Sequence, residues 1–253
     1  MIDRGLVDRI EQAALWAWPP KETAHEDGWL LRASGGGTRR VNSARTLVFA
    51  AGSNVGRAIG RVERWYATRG LPACFQLTPF SAPAGLDGAL EERGYARLPS
   101  VSVLLVDAAE VPPSGREPIE LETRPTPLAM NAVCDPRWGP MIRRTRAELF
   151  ARIRRPHVFA VLTEGGQPVA GGLCVVDGPL AGVFTMRTEV PFRRRGYAGA
   201  VFRRLVDWAR RHGAAQVYLQ VEDDNEAALA LYRPHGGERV YGYWYREEQP
   251  GEG

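Results

Sequence analysis

The segment from Thr185 to Tyr245 constrains this chain most, and within it the loop Arg193-Arg194-Arg195-Gly196-Tyr197-Ala198-Gly199-Ala200. The apolar run over residues 181–186 precedes the loop and reads as a buried strand. After it, Val201, Leu205, Trp208, Ala209 and His212 recur at helical spacing with arginines on the other face, which predicts an amphipathic helix. The first turn of a helix has N–H groups without intrahelical partners, and the helix dipole adds partial positive charge there. Gly196, Ala198, Gly199 and Ala200 keep bulky side chains away from those amides, so an anion can reach bare backbone. Three consecutive arginines add full charges at the mouth. The pattern predicts a phosphate-holding loop, although glycines here could also serve only to turn the chain.

The residues downstream decide between those readings. Gln216–Glu222 reads as a second strand, and Asp223-Asp224-Asn225 as a helix N-cap signal. A short helix over Glu226–Tyr232 then ends near Pro234 and the pair Gly236-Gly237, and residues 238–246 read as a last, aromatic-rich strand. This succession resembles the GCN5-related N-acetyltransferase (GNAT) family. Arg193-x-x-Gly196-x-Ala198 stands where that family has its pyrophosphate-binding signature. The segment from Asn225 through Ala228 to Tyr232 is similar to its Asn-x-x-Ala-x-x-x-Tyr motif.

The resemblance implies an α/β (α+β) fold with a mixed central sheet flanked by helices. It implies acetyl-CoA, with coenzyme A as the leaving group, and direct acyl transfer to an amine. The pyrophosphate would sit on the backbone of residues 195–200, with Asn225 and Ala228 also on the cofactor side. The pantetheine arm would lie along Met186, Arg187 and Thr188 as an added strand. A backbone N–H there would stabilise the oxyanion; one such donor is typically worth about 3 kcal/mol. Tyr232, a phenol with an ordinary pKa of about 10, stands at the position of the proton donor to the leaving thiolate. It could equally be a packing aromatic. Glu222 and Glu189 are the local carboxylates that could deprotonate the attacking amine, or could be solvated strand-end residues. Two departures bear on Tyr232: Pro234 threatens to end its helix early, and Gly237 replaces the aromatic that commonly closes the motif.

The chain's 253 residues suffice for one large domain or two ordinary ones. With 44% hydrophobic and 25% charged residues it reads as a globular protein. No run approaches the roughly 18 apolar residues of a membrane span, and residues 1–5 lack a secretory signal, so a cytoplasmic location is expected. Cys74, Cys134 and Cys174 lack metal-site spacing and read as core residues. The net charge of +4 comes almost wholly from arginine, without the aromatic-interleaved stripe of a nucleic-acid binder. Neither nucleic acid nor membrane is expected as a partner, and the chain could be a monomer or a homodimer.

Earlier in the chain, residues 6–18 predict a helix, residues 27–32 a strand, and Ser34 to Thr38 a hairpin turn, with a further extended piece running to Phe49. A faint internal repeat then appears. Trp65 to Gly70 followed by Phe75-Gln76-Leu77 echoes Trp208 to Gly213 followed by Leu219-Gln220-Val221, and residues 101–106 supply a strand where the second copy has residues 241–246. The first counterpart of the phosphate loop, residues 51–56, carries no arginine. Residues 1–112 thus look like a degenerate GNAT-like copy, a scaffold or acceptor-side wall that binds no coenzyme A. Residues 113–118 read as a proline-stiffened linker, and residues 119–253 as the catalytic copy. There, helices are expected over Pro127–Val133 and residues 146–153, and a hairpin over residues 158–176.

The acceptor is expected to be a primary amine, of a small molecule or of a peptide. The arginine-rich region 137–155 is either a solvated helix face or an entrance for acceptors with carboxylate or phosphate groups. Residues 219–232 also resemble ribosomal-protein N-terminal acetyltransferases, which keeps a peptide amine open. A non-catalytic acyl-CoA-binding module is the alternative of another class.

Overall fold

Residues 157–164 show how the sequence builds the fold. Val158, Ala160 and Leu162 point to one face of a strand and Phe159 and Val161 to the other, and all five are buried, so this strand carries helices on both sides. The first set packs with Val201, Phe202 and Leu205. The second packs with Ile10, Met130 and Phe150.

The computed structural model describes residues 2–35, 37–115 and 117–249. The first half contains α1 (Arg4–Ala17), β1 (Glu22–Glu26), β2 (Trp29–Ala33), β3 (Ala44–Arg45), α2 (Val55–Ala67), β4 (Cys74–Leu77), α3 (Leu86–Glu92), β5 (Ala96–Arg97) and β6 (Val101–Asp107). The second contains β7 (Ile119–Glu122), α4 (Pro127–Val133), α5 (Pro140–Ala151), β8 (His157–Glu164), β9 (Gln167–Asp177), β10 (Leu180–Thr188), α6 (Tyr197–Arg211), β11 (Gln216–Glu222), α7 (Glu226–Tyr232) and β12 (Glu238–Glu247). The strands form one mixed sheet in the order β1-β2-β3-β4-β12-β6-β11-β10-β9-β8-β7, with β5 beside β12. This is the mixed, helix-flanked sheet expected from the sequence. Helix α6 covers one face of β8–β10, and α1, α4 and α5 cover the other. Among the described residues no helix is long and apolar enough to cross a membrane.

Two parallel crossovers organise the sheet: β3 and β4 pair in parallel around α2, and β10 and β11 around α6. The closing strands are exchanged between the halves. β6 pairs antiparallel with β11 along Gln216–Glu222, and β12 pairs antiparallel with β4. α1 likewise packs on β9 and β10 of the second half.

The strand expected over residues 27–32 begins instead at Trp29. Asp27 (φ 47°) and Gly28 (φ 90°) form the turn of a hairpin whose first arm is β1. The extended piece expected up to Phe49 is a 3-10 turn at Arg39–Val41 followed by the short β3. Of the turn expected over residues 34–38, Gly36 lies outside the described residues. The second helix of the second half starts at Pro140 rather than Arg146. His212 caps α6 at the surface, stacked on Trp208 at 3.9 Å, instead of joining the apolar face. Pro234 does end α7 at Tyr232, and the chain continues as a 3-10 turn, Arg233–His235.

A buried polar chain ties α1 to strands of both halves. Glu11, 2% exposed, accepts from Tyr241 Oη (2.8 Å) on β12 and from Gln76 Nε2 (3.0 Å) on β4. Gln76 Oε1 in turn accepts from buried Arg32 Nη2 at 2.6 Å. Removing one member leaves buried donors unsatisfied. Glu11→Ala is expected to lower unfolding stability by about 2–3 kcal/mol in urea titration; a loss below about 0.5 kcal/mol would show the chain to be dispensable.

Candidate active site

The site begins where a strand ladder stops. β10 and β11 pair in parallel from Leu180↔Gln216 to Val183↔Leu219 and no further. Beyond that point β10 stays on β9 as far as Thr188↔Ala170, and β11 stays on β6 as far as Glu222↔Val101. The two strands therefore diverge, and their inner edges open a cavity of about 780 Å³. A bulge in β10 sharpens the divergence. Between Phe184↔Leu173 and Arg187↔Gly171, the residues Thr185 and Met186 oppose Gly172 alone, and Thr185 has φ 51°. Gly172 leaves room for the ends of two side chains: a Cβ there would overlap Met186 Sδ and stand 3.0 Å from Leu205 Cδ1 on α6, so Met186 would have to shift.

The start of α6 has features that suit an anion. Its N-cap is Gly196 (φ 83°), with no capping side chain and no acidic residue in the first turn. Arg193, Arg194, Arg195 and Gly196 are exposed, Tyr197, Ala198 and Gly199 half-buried, and Ala200 buried. Arg193 Nε donates to the Thr188 carbonyl at 3.2 Å, which fastens the loop to the end of β10. Arg195 lies over Phe192 at 5.1 Å and 3.9 Å from Glu164, which also accepts from the Tyr197 hydroxyl. Residues 193–200 sit outside the cavity walls.

Of the residues read from the sequence, Met186, Glu222, Asn225, Ala228 and Tyr232 come together around the cavity. Asn225 caps α7, its side chain accepting from Ala228 N at 3.1 Å. Tyr232 is 3% exposed and meets the edge of Phe202 at 5.1 Å, so it packs and lines the cavity at once. Burial pushes its phenol well above the usual tyrosine range, which keeps it protonated. Gly237 holds this geometry: a Cβ there would stand 2.9 Å from the Tyr232 carbonyl oxygen, so the aromatic usual in the motif would force the two segments apart.

Others fall elsewhere. Glu189 is ion-paired to Arg187 at 2.7 Å and lies outside the cavity walls. Arg187 instead lines an adjoining cavity of about 330 Å³ with Arg40, Trp138 and Arg146. Thr188 faces neither cavity, and its Oγ1 is buried without a partner, as are Thr185 Oγ1 and Gln220 Oε1 at the strand divergence. Such orphaned polar atoms and unpaired strand edges suit a polar, extended arm, and the uncapped α6 end suits a phosphate.

The sequence reading missed several residues of the wall: Thr38, Arg39 and Arg40 after β2, Pro99 before β6, and Tyr243 and Tyr245 on β12. None lies in a motif; the strand exchange brings them there. The three cysteines are buried and unpaired, as expected of core residues.

Known proteins share this architecture. Residues 7–241 match the family described as "Probable histone acetyltransferase Rv0428c C-terminal". The Bacillus subtilis (strain 168) protein named "Uncharacterized N-acetyltransferase YobR" is 27% identical over 246 residues, 95% of this chain and 98% of its own length. The Mycobacterium tuberculosis protein named "Probable histone acetyltransferase Rv0428c" is 29% identical over 229 residues, 87% of this chain and 68% of its own. In fold, the chain is similar to the "GCN5-related N-acetyltransferase from Kribbella flavida", with a TM-score of 0.74 over 98% of both chains at 18% identity. The chain belongs to the family of the Rv0428c C-terminal region and has the fold of the GCN5-related N-acetyltransferases.

Proposed function

We propose that the protein is an acetyl-CoA-dependent N-acetyltransferase whose acceptor is a primary amine of a small molecule. The observation that carries this reading is the divergence of β10 and β11 between an uncapped, arginine-flanked helix start and Tyr232. Acetyl-CoA supplies the thioester. The free amides of residues 195–199, with Arg193 and Arg194, hold its diphosphate, whereas the Ala200 amide already donates to the Gly196 carbonyl at 3.0 Å. The freed edge of β10 at Met186 to Thr188 receives the pantetheine arm, and an N–H there meets the developing oxyanion. Glu222 takes the proton of the attacking amine. Glu189, ion-paired to Arg187 outside the cavity walls, is the less favoured candidate. Tyr232 protonates the leaving sulfur.

We read the first half as a worn copy of the second, with residues 1–112 and 119–253 as the two units and 113–118 between them. The matching crossovers, β3–α2–β4 and β10–α6–β11, support this. The α2 end is closed to phosphate, because Asn54 Oδ1 accepts from Arg57 N at 3.0 Å and so occupies one of the amides that α6 leaves free. The first half instead contributes residues 37–40 with Leu98, Pro99 and Val101 to the cavity wall. Enclosure by that wall supports a small acceptor. The name of the mycobacterial relative supports a peptide amine as the competing reading.

Incubation with acetyl-CoA and a panel of small amines and peptides, followed by free-thiol release, tests the reading; an acyl-CoA-binding module without turnover would release none. Tyr232→Phe is expected to lower kcat about 100-fold with little change in the KM for acetyl-CoA; unchanged kcat would make Tyr232 a packing residue. Because burial raises the Tyr232 phenol, its donor form persists at alkaline pH. The value of kcat/KM is therefore expected to rise with deprotonation of the amine and to hold up to about pH 10. A fall with an apparent pKa near 9 would contradict Tyr232 as the donor.

A further inference from the structure

The large cavity and its smaller neighbour share two guanidinium groups that the chain's own carboxylates leave unpaired. Arg40 follows β2 in the first half and Arg146 lies on α5 in the second, and both line both cavities. Each stands 4.9 Å from the Trp18 ring centroid; Arg40 also lies over Phe184 at 5.6 Å and Arg146 over Trp138 at 5.0 Å. Arg146 is 9% exposed and donates from Nη2 to the Gly37 carbonyl at 3.2 Å. The Nε of each guanidinium is buried without a partner.

The surrounding charges do not answer these two. Among the described residues, neither has a carboxylate oxygen within 4.0 Å. Arg39, beside Arg40, is satisfied by Glu247 at 2.8 Å. Asp135, on the smaller cavity, is taken by Arg137 at 2.6 Å. Glu222 and Asp224 belong to the β11 end of the large cavity. Burial, and then the charge of Arg40, bring the Arg146 guanidinium down to about 10, so it remains charged at neutral pH. Two like charges side by side, Arg146 buried and Arg40 half-buried, are unfavourable without a counter-ion. Aromatic faces offset only part of that cost.

We propose that Arg40 and Arg146 form a seat for the carboxylate of the acceptor, so that the amine acetylated belongs to a small amino acid or a like aminocarboxylate. The proposal rests on the acetyltransferase reading and narrows its substrate class. The planar guanidinium fork matches a carboxylate through paired N–H donors, and the free Nε of each side chain completes such a fork. Trp18 and Phe184 exclude water on the aromatic side, which strengthens the pairing and penalises a neutral group in the same place. A carboxylate carries one charge and is less costly to dehydrate here than a phosphonate dianion.

The test compares ω-amino carboxylates, their carboxamides and aminoalkylphosphonates of equal length as acceptors. The carboxylate is expected to exceed its amide about 30-fold in kcat/KM. Arg40→Gln and Arg146→Gln are each expected to bring that ratio toward one through KM, and Arg146→Lys to restore part of it. An amide accepted as well as its carboxylate overturns the proposal, as does a phosphonate preferred to both. Variants that lower carboxylate and amide rates alike would mark the arginines as props for Trp18, which also overturns it. Calorimetric titration of the unaltered protein with an N-acetylamino acid and with its amide reads the seat without turnover, so failure of acetyl transfer and failure of the seat are separable. The titration also decides the matter if Arg146→Gln does not fold. Tighter binding of the carboxylate is expected, and equal binding overturns the seat.

Discussion

The functional architecture depends on one interrupted ladder. Parallel strands that begin in register at Leu180 and Gln216 would ordinarily continue to pair, since every unpaired buried N–H and C=O carries a cost. Here the bulge at Thr185-Met186 turns β10 away, and β11 is held to β6 through Glu222. Each strand is satisfied on its outer edge and open on its inner one. The main-chain groups so released are the polar floor of the cavity, and the orphaned Thr185 Oγ1 and Gln220 Oε1 stand beside them. Gly172, opposite the bulge, leaves room for Met186 Sδ and Leu205 of α6, and Arg193 fastens the loop before α6 to the end of β10.

The exchange of closing strands makes the two halves mutually dependent. β11 is held open by β6, a strand of the first half, and the first half's crossover strand β4 is completed by β12. Glu11 reinforces the exchange through Gln76 and Tyr241. The wall of the cavity is consequently composite. Arg40 and Arg146, from sequence positions far apart, each lie against Trp18, the residue that closes α1 where it packs on β9 and β10.

The parts legible in the sequence were those with local signals. α7 and β11 follow the capping residue Asn225 and the apolar run at 217–221 closely, and α6 is announced by the helical spacing after Gly196. The edge strands were not legible for opposite reasons. β1 is mostly exposed and polar, with no alternation to find, whereas β7 alternates Ile119 and Leu121 with glutamates but is too short to stand out. The clustering of Tyr232, Glu222 and Asn225 followed from motif order. The pairing of Glu189 with Arg187 was open to the sequence, since residues two apart on an extended segment share a face, but its place outside the cavity walls was not. The convergence of Arg40 with Arg146 leaves no trace in either segment alone, since long-range pairing carries no local pattern.

The most direct test concerns the helix start proposed to hold the cofactor's diphosphate. Isothermal titration with coenzyme A and with pantetheine, which lacks the diphosphate and the phosphoadenosine it carries, reads the contribution of that end of the ligand, with the α6 amides and their arginines as its proposed seat. Coenzyme A is expected to bind at least about 30-fold more tightly. Equal affinity for the two would mean that the diphosphate finds no grip at Gly196, and the site would have to be reassigned.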